Sequence, residues 1–164
     1  MRGTGKHMKN TLECLNNKLT NIYMKKLKKE YLAWKTSEDP DERSIYALHT
    51  GEWKHLKTDK YWDNRRIYAE HTCDWGFLKN DEDEDNRRIY AEHTCDWEFL
   101  KNDNYHYNRR KYARHTGDYE FLKIDKNHYN RLEYADHTGD YEFLKTDENE
   151  ENREAYEEHS EMFE

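Results

Sequence analysis

The fold is decided by a repeated segment whose clearest copy, residues 88–109, reads RIYAEHTCDWEFLKNDNYHYNR. A step of 22 residues in either direction gives a near copy without any insertion. A fixed period of this kind is typical of arrays in which each unit buries its apolar face only against its neighbours. We predict a degenerate unit at 23–43, full units at 44–65, 66–87, 88–109, 110–131 and 132–153, and a C-terminal cap at 154–164.

Within one unit the apolar side chains follow a helical period. In the central copy they are Tyr90, Ala91, Thr94, Trp97 and Leu100. We expect Asn86 to cap a first helix over about 86–94 and a second short helix to cover about 96–102. A small residue, Cys95 here and Gly in other units, separates the two. Because Cys is disfavoured in the left-handed region, this turn position is expected to need smallness as much as a positive φ. The pattern predicts an all-α fold, an α-solenoid of short helix-turn-helix units.

A resemblance to a known family appears at residues 113–123, Ala-Arg-His-Thr-Gly-Asp-Tyr-Glu-Phe-Leu-Lys. This stretch resembles the helix-turn-helix core of an ankyrin repeat, with its alanine, the turn glycine four residues later, and the Glu, apolar pair and Lys that follow. The similarity covers about half of each unit; the ankyrin period of about 33 residues, its β-turn extension and its Thr-Pro-Leu-His signature are absent. The resemblance implies a stacked array that binds protein partners through inter-repeat loops and has no catalytic residues.

Three other architectures share a period near 22 residues. Two hendecads suit a right-handed coiled coil, and amphipathic lipid-binding repeats and leucine-rich repeats have similar lengths. The first two need a continuous apolar stripe, which DEDED (81–85) and DENEE (147–151) interrupt. The third needs several recurring leucines, whereas one leucine per unit recurs. The pattern therefore favours the solenoid.

Charge is distributed very unevenly along the 164 residues, of which 39% are charged and 34% hydrophobic. Residues 1–35 carry nine Lys or Arg against two Glu, a net +7, and the remainder carries 19 basic against 34 acidic residues, a net −15. No apolar run reaches the length of a membrane span or a signal peptide, so we expect a cytoplasmic protein. Three cysteines without an export signal predict reduced thiols, with Cys73 and Cys95 as small packing residues. The Asn-, Lys- and Tyr-rich usage hints at a viral or low-GC bacterial origin.

The N-terminal segment, residues 1–22, is predicted to be a basic amphipathic helix. Leu12, Leu15, Leu19 and Ile22 have helical spacing. We expect this helix to cap the first repeat, with a homodimer seam and a basic surface for nucleic acid or anionic lipid as the alternatives. The basic surface consists of Lys25, Lys26, Lys28 and Lys29.

Several polar residues recur in nearly every unit, namely a His, an Asp and an Asn-Arg pair. Equivalent positions in stacked helices lie about 8–10 Å apart, too far to share one zinc ion. We therefore expect each His to bond to the backbone of its turn, and the Asp and Asn-Arg residues to form ladders that link successive units. No unit breaks the pattern with a nucleophile or an acid-base set. The sequence thus predicts a protein without enzymatic activity, cofactor or metal.

Four residues between the repeated Asp and Asn vary freely and are expected to lie along one edge of the stack. They read KYWD (60–63), EDED (82–85), NYHY (104–107), KNHY (126–129) and ENEE (148–151). Aromatic residues mixed with charges are typical of interface centres. The candidate partner-binding residues are Tyr61, Trp62, Asp63, Asp83, Glu84, Tyr105, His106, Tyr107, His128 and Tyr129.

These observations predict a binding module, an adaptor or inhibitor that docks a basic protein partner through the variable segments. The alternatives are an acidic DNA mimic or nucleic-acid-associated protein, and a structural subunit of a larger assembly.

Overall fold

The structure is a computed structural model that describes Lys29 and residues 31–162. Within residues 31–162 the regular elements are all helical, and α-helices alternate with 3-10 helices. The α-helices are α1 (Pro40–Thr50), α2 (Trp62–Thr72), α3 (Glu84–Thr94), α4 (His106–Thr116), α5 (His128–Thr138) and α6 (Glu150–Glu161). The 3-10 helices are η1 (Leu32–Thr36), η2 (Trp53–Thr58), η3 (Gly76–Asn80), η4 (Glu98–Asn102), η5 (Glu120–Ile124) and η6 (Glu142–Thr146).

The chain forms two compact units, one ending at Asp74 and the other beginning at Trp75. Described residues of the first unit form η1, α1, η2 and α2, and those of the second form η3 to α6. In both units each α-helix packs on the 3-10 helix that precedes it in the chain. The fold is therefore an all-α solenoid of short helical pairs, as predicted. The predicted N-terminal helix and Lys25, Lys26 and Lys28 lie outside the described residues.

The second helix of each predicted unit is a 3-10 helix, which is shorter and tighter than the sequence pattern indicates. In the central copy Leu100 N–H donates to the carbonyl of Trp97 at 2.9 Å, and Asp103 N–H donates to the carbonyl of Leu100 at 3.1 Å. A 3-10 helix bonds each residue to the third one before it, so a five-residue segment already satisfies several backbone groups. The backbone of Asp103 is then extended, with φ −60° and ψ 145°, and leads to the next α-helix.

Two of the predicted local roles were wrong. Asp83, not Asn86, caps α3: its side chain accepts from the N–H groups of Asp85 and Asn86 at 3.1 Å. Asn86 is the third residue of the helix and is buried. The turn residue after each of α1 to α5 has a positive φ, 57° at Cys73 and 60° at Cys95. A Cβ atom at Gly117 would meet nothing within 4 Å, so the position needs the left-handed conformation and not a small side chain.

The core repeats the same three side chains. In the second unit Ala91, Leu100 and Tyr112 form one buried cluster, and Ala113, Leu122 and Tyr134 form the next. Partly buried rings pack against each cluster, namely Trp97, Phe99 and Phe121 on the first and Tyr119, Phe121 and Phe143 on the second. In α6 the equivalent of the buried alanine is Glu157, which is exposed. The resemblance to an ankyrin helix pair stays a prediction.

Candidate protein-binding edge

One polar ladder links repeats through buried arginine-aspartate pairs. Arg109 Nε and Nη2 donate to the two carboxylate oxygens of Asp125, each at 2.6 Å. The two side chains are only 7% and 4% exposed. Equivalent two-bond pairs join Arg43 to Asp59, Arg87 to Asp103, and Arg131 to Asp147. The predicted ladder is therefore present, and each guanidinium group donates two hydrogen bonds to its carboxylate in a bidentate arrangement.

The same aspartates and asparagines also bind backbone groups. Asp103 Oδ1 accepts from the N–H of Tyr105 at 2.8 Å, and Arg109 Nη1 donates to the carbonyl of Asp103 at 2.7 Å. Asn108 Nδ2 donates to the carbonyl of Glu84, in the first turn of the preceding α-helix, at 2.9 Å. These residues recur because they hold one repeat to the next. These hydrogen bonds lie inside the fold, where Oδ1 of Asn130 and of Asn152 is buried without a hydrogen bond.

Electrostatics within this ladder favour ionised carboxylates. The two bonds from Arg131 outweigh burial and lower the pKa of Asp147 to about 2. Burial by itself would raise the pKa of Asp103, but bonds from Arg87 and the Tyr105 backbone reverse this and lower it. The ladder is consequently stable as a set of ion pairs at neutral pH.

A second, half-exposed ladder runs through lysines. Lys101 Nζ lies 2.7 Å from Asp118 Oδ2 and 5.7 Å from the centre of the Tyr112 ring. The Phe121 ring centre is 5.4 Å away, so the ammonium group rests among two rings and a carboxylate. The carboxylate contact recurs as Lys57–Asp74, Lys79–Asp96 and Lys123–Asp140, each at 2.7 Å.

His49 contacts the backbone carbonyl of Ile45 through Nδ1 at 2.9 Å, which resembles the predicted role, but the contact that recurs is stacking of the repeated histidines on aromatic rings of the preceding repeat. The imidazole of His93 lies 3.7 Å from the Trp75 ring centre with an interplanar angle of 9°, and His137 lies 3.6 Å from Tyr119 at 9°. Other stacked pairs are Trp53–His71, Trp97–His115 and Tyr141–His159. The sequence signal for this contact was the constant separation of 18 residues between the aromatic residue and the His.

The variable segments lie where each α-helix begins. Their last two residues belong to the first helical turn, so α4 begins at His106 and α5 at His128. Tyr61 is 39% exposed, Tyr105 38% and Tyr129 49%. The other candidate partner-binding residues are half-buried: Trp62, Asp63, Asp83, Glu84, His106, Tyr107 and His128.

In the second unit the variable segments differ in charge and ring content. Near the start of α4 the Tyr105 ring centre lies 5.1 Å from His106 and 6.3 Å from Tyr107. On α5 the rings of His128 and Tyr129 are 4.0 Å apart. Burial, followed by the charge of Arg110, lowers the pKa of His106, which favours a neutral imidazole. Burial raises the pKa of Asp83 in the acidic segment before α3.

Two open grooves lie in the described region. A groove of about 490 Å³ in the first unit is lined by residues that include Trp53, which stacks on His71, and Lys57 and Tyr68, which both bond to Asp74. A smaller groove of about 250 Å³ in the second unit adjoins Asn104, Arg109 and Lys126. Among the described residues no three His, Cys, Asp or Glu side chains cluster as metal ligands would. None of the described helices is both long and apolar enough to cross a membrane.

The thiols and the basic surface complete the predicted sites. Cys73 and Cys95 are free and exposed, so they are not packing residues as predicted. Lys29 is helical and exposed; it is the one member of the predicted basic surface within the described residues.

Fold and ladders together define an all-α repeat protein whose recurring polar residues serve stacking. No protein-family model, curated protein or solved structure matches this chain.

Proposed function

We propose that this chain is a non-enzymatic protein-binding module that docks its partner through the variable segments. The observation that carries the proposal is the exposure of Tyr105 and Tyr129 in the variable segments of the second unit, where its repeats differ most; Tyr61 is exposed in a variable segment of the first unit. Tyrosine supplies large contact area at low conformational cost and is enriched at interface centres. The variation between units gives the edge a different chemistry at each step.

The polar residues that recur in each repeat have a structural role and not a catalytic one in this proposal. Hydrogen bonds to neighbouring repeats engage the side chains of Arg109, Asp125 and Asn108. A catalytic set would need a nucleophile or acid-base group that is free to meet a substrate. We therefore keep enzymatic activity out of the proposal.

The charge of the variable segments indicates which charge the partner carries. The segments at 82–85 and 148–151 are acidic and favour contact with basic residues, in line with a partner that is basic overall. A DNA mimic is less well supported, because many carboxylates are already paired, such as Asp118 with Lys101 and Asp125 with Arg109. A purely structural role in an assembly would not need exposed tyrosines at the variable positions.

The test exchanges segments between repeats of the same chain. The sequence ENEE (148–151) replaces NYHY (104–107) and KNHY (126–129), since the fold already accommodates it at the equivalent place. The matched control puts ENEE in place of EDED (82–85), which alters the acidic segment only slightly. Both proteins, tagged, are used to capture partners from the native cell, with circular dichroism as the folding check.

We expect the exchanged protein to keep its helicity and to lose a stoichiometric protein partner that the parent and the control retain. Retention of that partner by the exchanged protein would place the interface elsewhere and refute the proposal. Capture of nucleic acid alone by the parent, abolished by nuclease, would equally refute it in favour of the nucleic-acid reading.

A further inference from the structure

An arginine near the start of each central α-helix is normally neutralised by two acids on its own helix. Arg66 pairs with Asp63 and with Glu70, the latter at 3.0 Å. One repeat later Arg88 pairs with Asp85 at 2.9 Å and Glu92 at 2.7 Å. The acids stand three residues before and four residues after the arginine, the spacing at which helix side chains meet.

In α4 both acids are replaced. The equivalent arginine is Arg110, the residue three before it is Tyr107, and the residue four after it is Arg114. The guanidinium carbon of Arg110 lies 5.2 Å from the Tyr107 ring centre, and Lys111 Nζ lies 5.1 Å from the same ring. Neither Arg110 nor Lys111 has an ion pair within the part of the chain that the structure describes.

A second observation concerns the Nη atoms of Arg110. The Nε atoms of Arg110 and Arg88 are both buried without a hydrogen bond among the described residues, so the two arginines differ at Nη, where Arg88 bonds to carboxylates. The acid that could approach from the next helix, Glu133, is engaged by Arg114 Nε and Nη2 at 2.6 and 2.7 Å. Arg114 and, to a smaller extent, the charge of Arg110 lower the pKa of Glu133, so this carboxylate stays charged and paired with Arg114. Arg110 and Lys111 thus share one ring with no carboxylate bonded to either among the described residues.

We propose that Tyr107, Arg110 and Lys111, the α4 cation site, bind a carboxylate of an acidic segment in the protein partner. The inference rests on the proposed function and specifies that the partner segment bound at the α4 cation site is acidic. The guanidinium supplies a planar donor pair for a carboxylate, and the ring beneath it keeps one face dry.

Charge on the α3 side of the α4 cation site favours a short acidic peptide over nucleic acid. The preceding α-helix, α3, begins within EDED (82–85), whereas α5, which follows, begins within KNHY (126–129). Neighbouring helices pack about 8–10 Å apart, comparable to the screening length at physiological salt. A continuous polyanion would be repelled where it crosses the EDED segment, whereas a peptide with acidic residues between lysines can place a lysine there.

The test measures binding of a fluorescent peptide in which a run of glutamates is flanked by lysines, using anisotropy and the full chain. Arg110→Gln removes the donor, and Tyr107→Asp introduces the acid that α2 and α3 carry at the same position. Arg88→Gln is the matched control, because its guanidinium is already paired. A charge-reversed peptide and a labelled oligothymidylate are the competing probes.

We expect Arg110→Gln and Tyr107→Asp each to weaken binding of the acidic peptide about tenfold, the effect of losing one charged hydrogen bond. Arg88→Gln should leave the affinity unchanged, and thermal melts should show all three proteins folded. Equal affinities for Arg110→Gln and the parent, equal losses in Arg110→Gln and Arg88→Gln, or tighter binding of either competing probe would overturn the inference. The segment exchange under the proposed function does not use this peptide, so the two proposals fail separately.

Discussion

Cys73 and Cys95 occupy a backbone conformation that side chains with a Cβ atom rarely adopt. Their φ angles are 57° and 60°, while Gly51, Gly117 and Gly139 have 71° to 77° at the equivalent turns. The left-handed conformation costs a non-glycine residue roughly 1–2 kcal/mol. Glycine avoids this strain, but it loses more conformational entropy on folding, which offsets part of the gain in stability. Because both cysteines are exposed, their thiols add no buried contact that would compensate.

We predict that Cys73→Gly and Cys95→Gly each raise the free energy of unfolding by about 0.5–1 kcal/mol. The measurement is urea denaturation under reducing conditions. Gly117→Cys serves as the reverse control and should lower the free energy of unfolding by a similar amount. A lower midpoint for Cys95→Gly would show that the thiol makes a contact that matters more than its backbone strain.

Stacked rings are the other residue-scale feature. The pairs Trp75–His93 and Tyr119–His137 place an imidazole flat on a ring from the preceding repeat. With their centres 3.6–3.7 Å apart the rings stack face to face, and the contact buries ring surface between repeats. The residue type that invites a metal hypothesis therefore serves inter-repeat packing.

Between elements, two kinds of ion pair hold successive repeats, and they differ in burial. The Arg109–Asp125 pair is 7% and 4% exposed, and Asp125 also accepts from Asn127 N–H and Asn130 Nδ2. The Lys123–Asp140 pair of the following step is 37% exposed at both ends. Removing one partner of a buried pair leaves an uncompensated charge, while exposed pairs contribute little.

We predict that Asp125→Ala lowers the free energy of unfolding by about 3–5 kcal/mol, because Arg109 stays buried without its carboxylate. Asp140→Ala, the matched control on an exposed pair, should cost less than about 1 kcal/mol. Chemical denaturation of both variants checks the difference. Similar losses of the free energy of unfolding in Asp125→Ala and Asp140→Ala would mean that buried and exposed pairs contribute equally to stability, contrary to the prediction.

At the scale of the whole molecule, the buried arginine-aspartate ladder makes the free energy of unfolding depend on pH. The pKa of Asp147 is about 2, and interactions with arginines lower the pKa values of Asp59, Asp103 and Asp125 in the same direction. A carboxyl whose pKa is lower in the folded chain than the unfolded value of about 3.9 stabilises the fold above that value. Its contribution is lost as the pH falls through the folded pKa. The raised pKa of Asp83 has the opposite sign, one residue against four.

We predict that the free energy of unfolding is nearly constant from pH 7 to about pH 5 and falls steeply between about pH 4 and pH 2. Asp147 alone should account for about 2 kcal/mol of the loss, from its pKa of about 2. Urea titrations across this range provide the measurement, with Asp147→Asn as the control whose profile should be flatter. A loss of stability centred above pH 5 would point to histidines and contradict this account.

The sequence by itself determined the period, the all-α class and the recurring core residues. Spacing of Tyr90, Ala91 and Leu100 is enough for this, since helical periodicity and repetition are local properties of a chain. Free variation at residues 104–107 likewise marked a surface edge, and Tyr105 lies exposed there. These features needed no knowledge of which repeat contacts which.

Only the tertiary structure decided how the recurring polar residues are used. The sequence suggested Asn86 as a cap and histidines as turn ligands, whereas Asn108 bonds to Glu84 and His93 stacks on Trp75, each in the preceding repeat. Likewise only the tertiary structure shows that Glu133, on the next helix, is engaged by Arg114. Such contacts join residues about 16 to 24 positions apart, and they depend on the angle and distance at which successive helices pack, which no local pattern encodes.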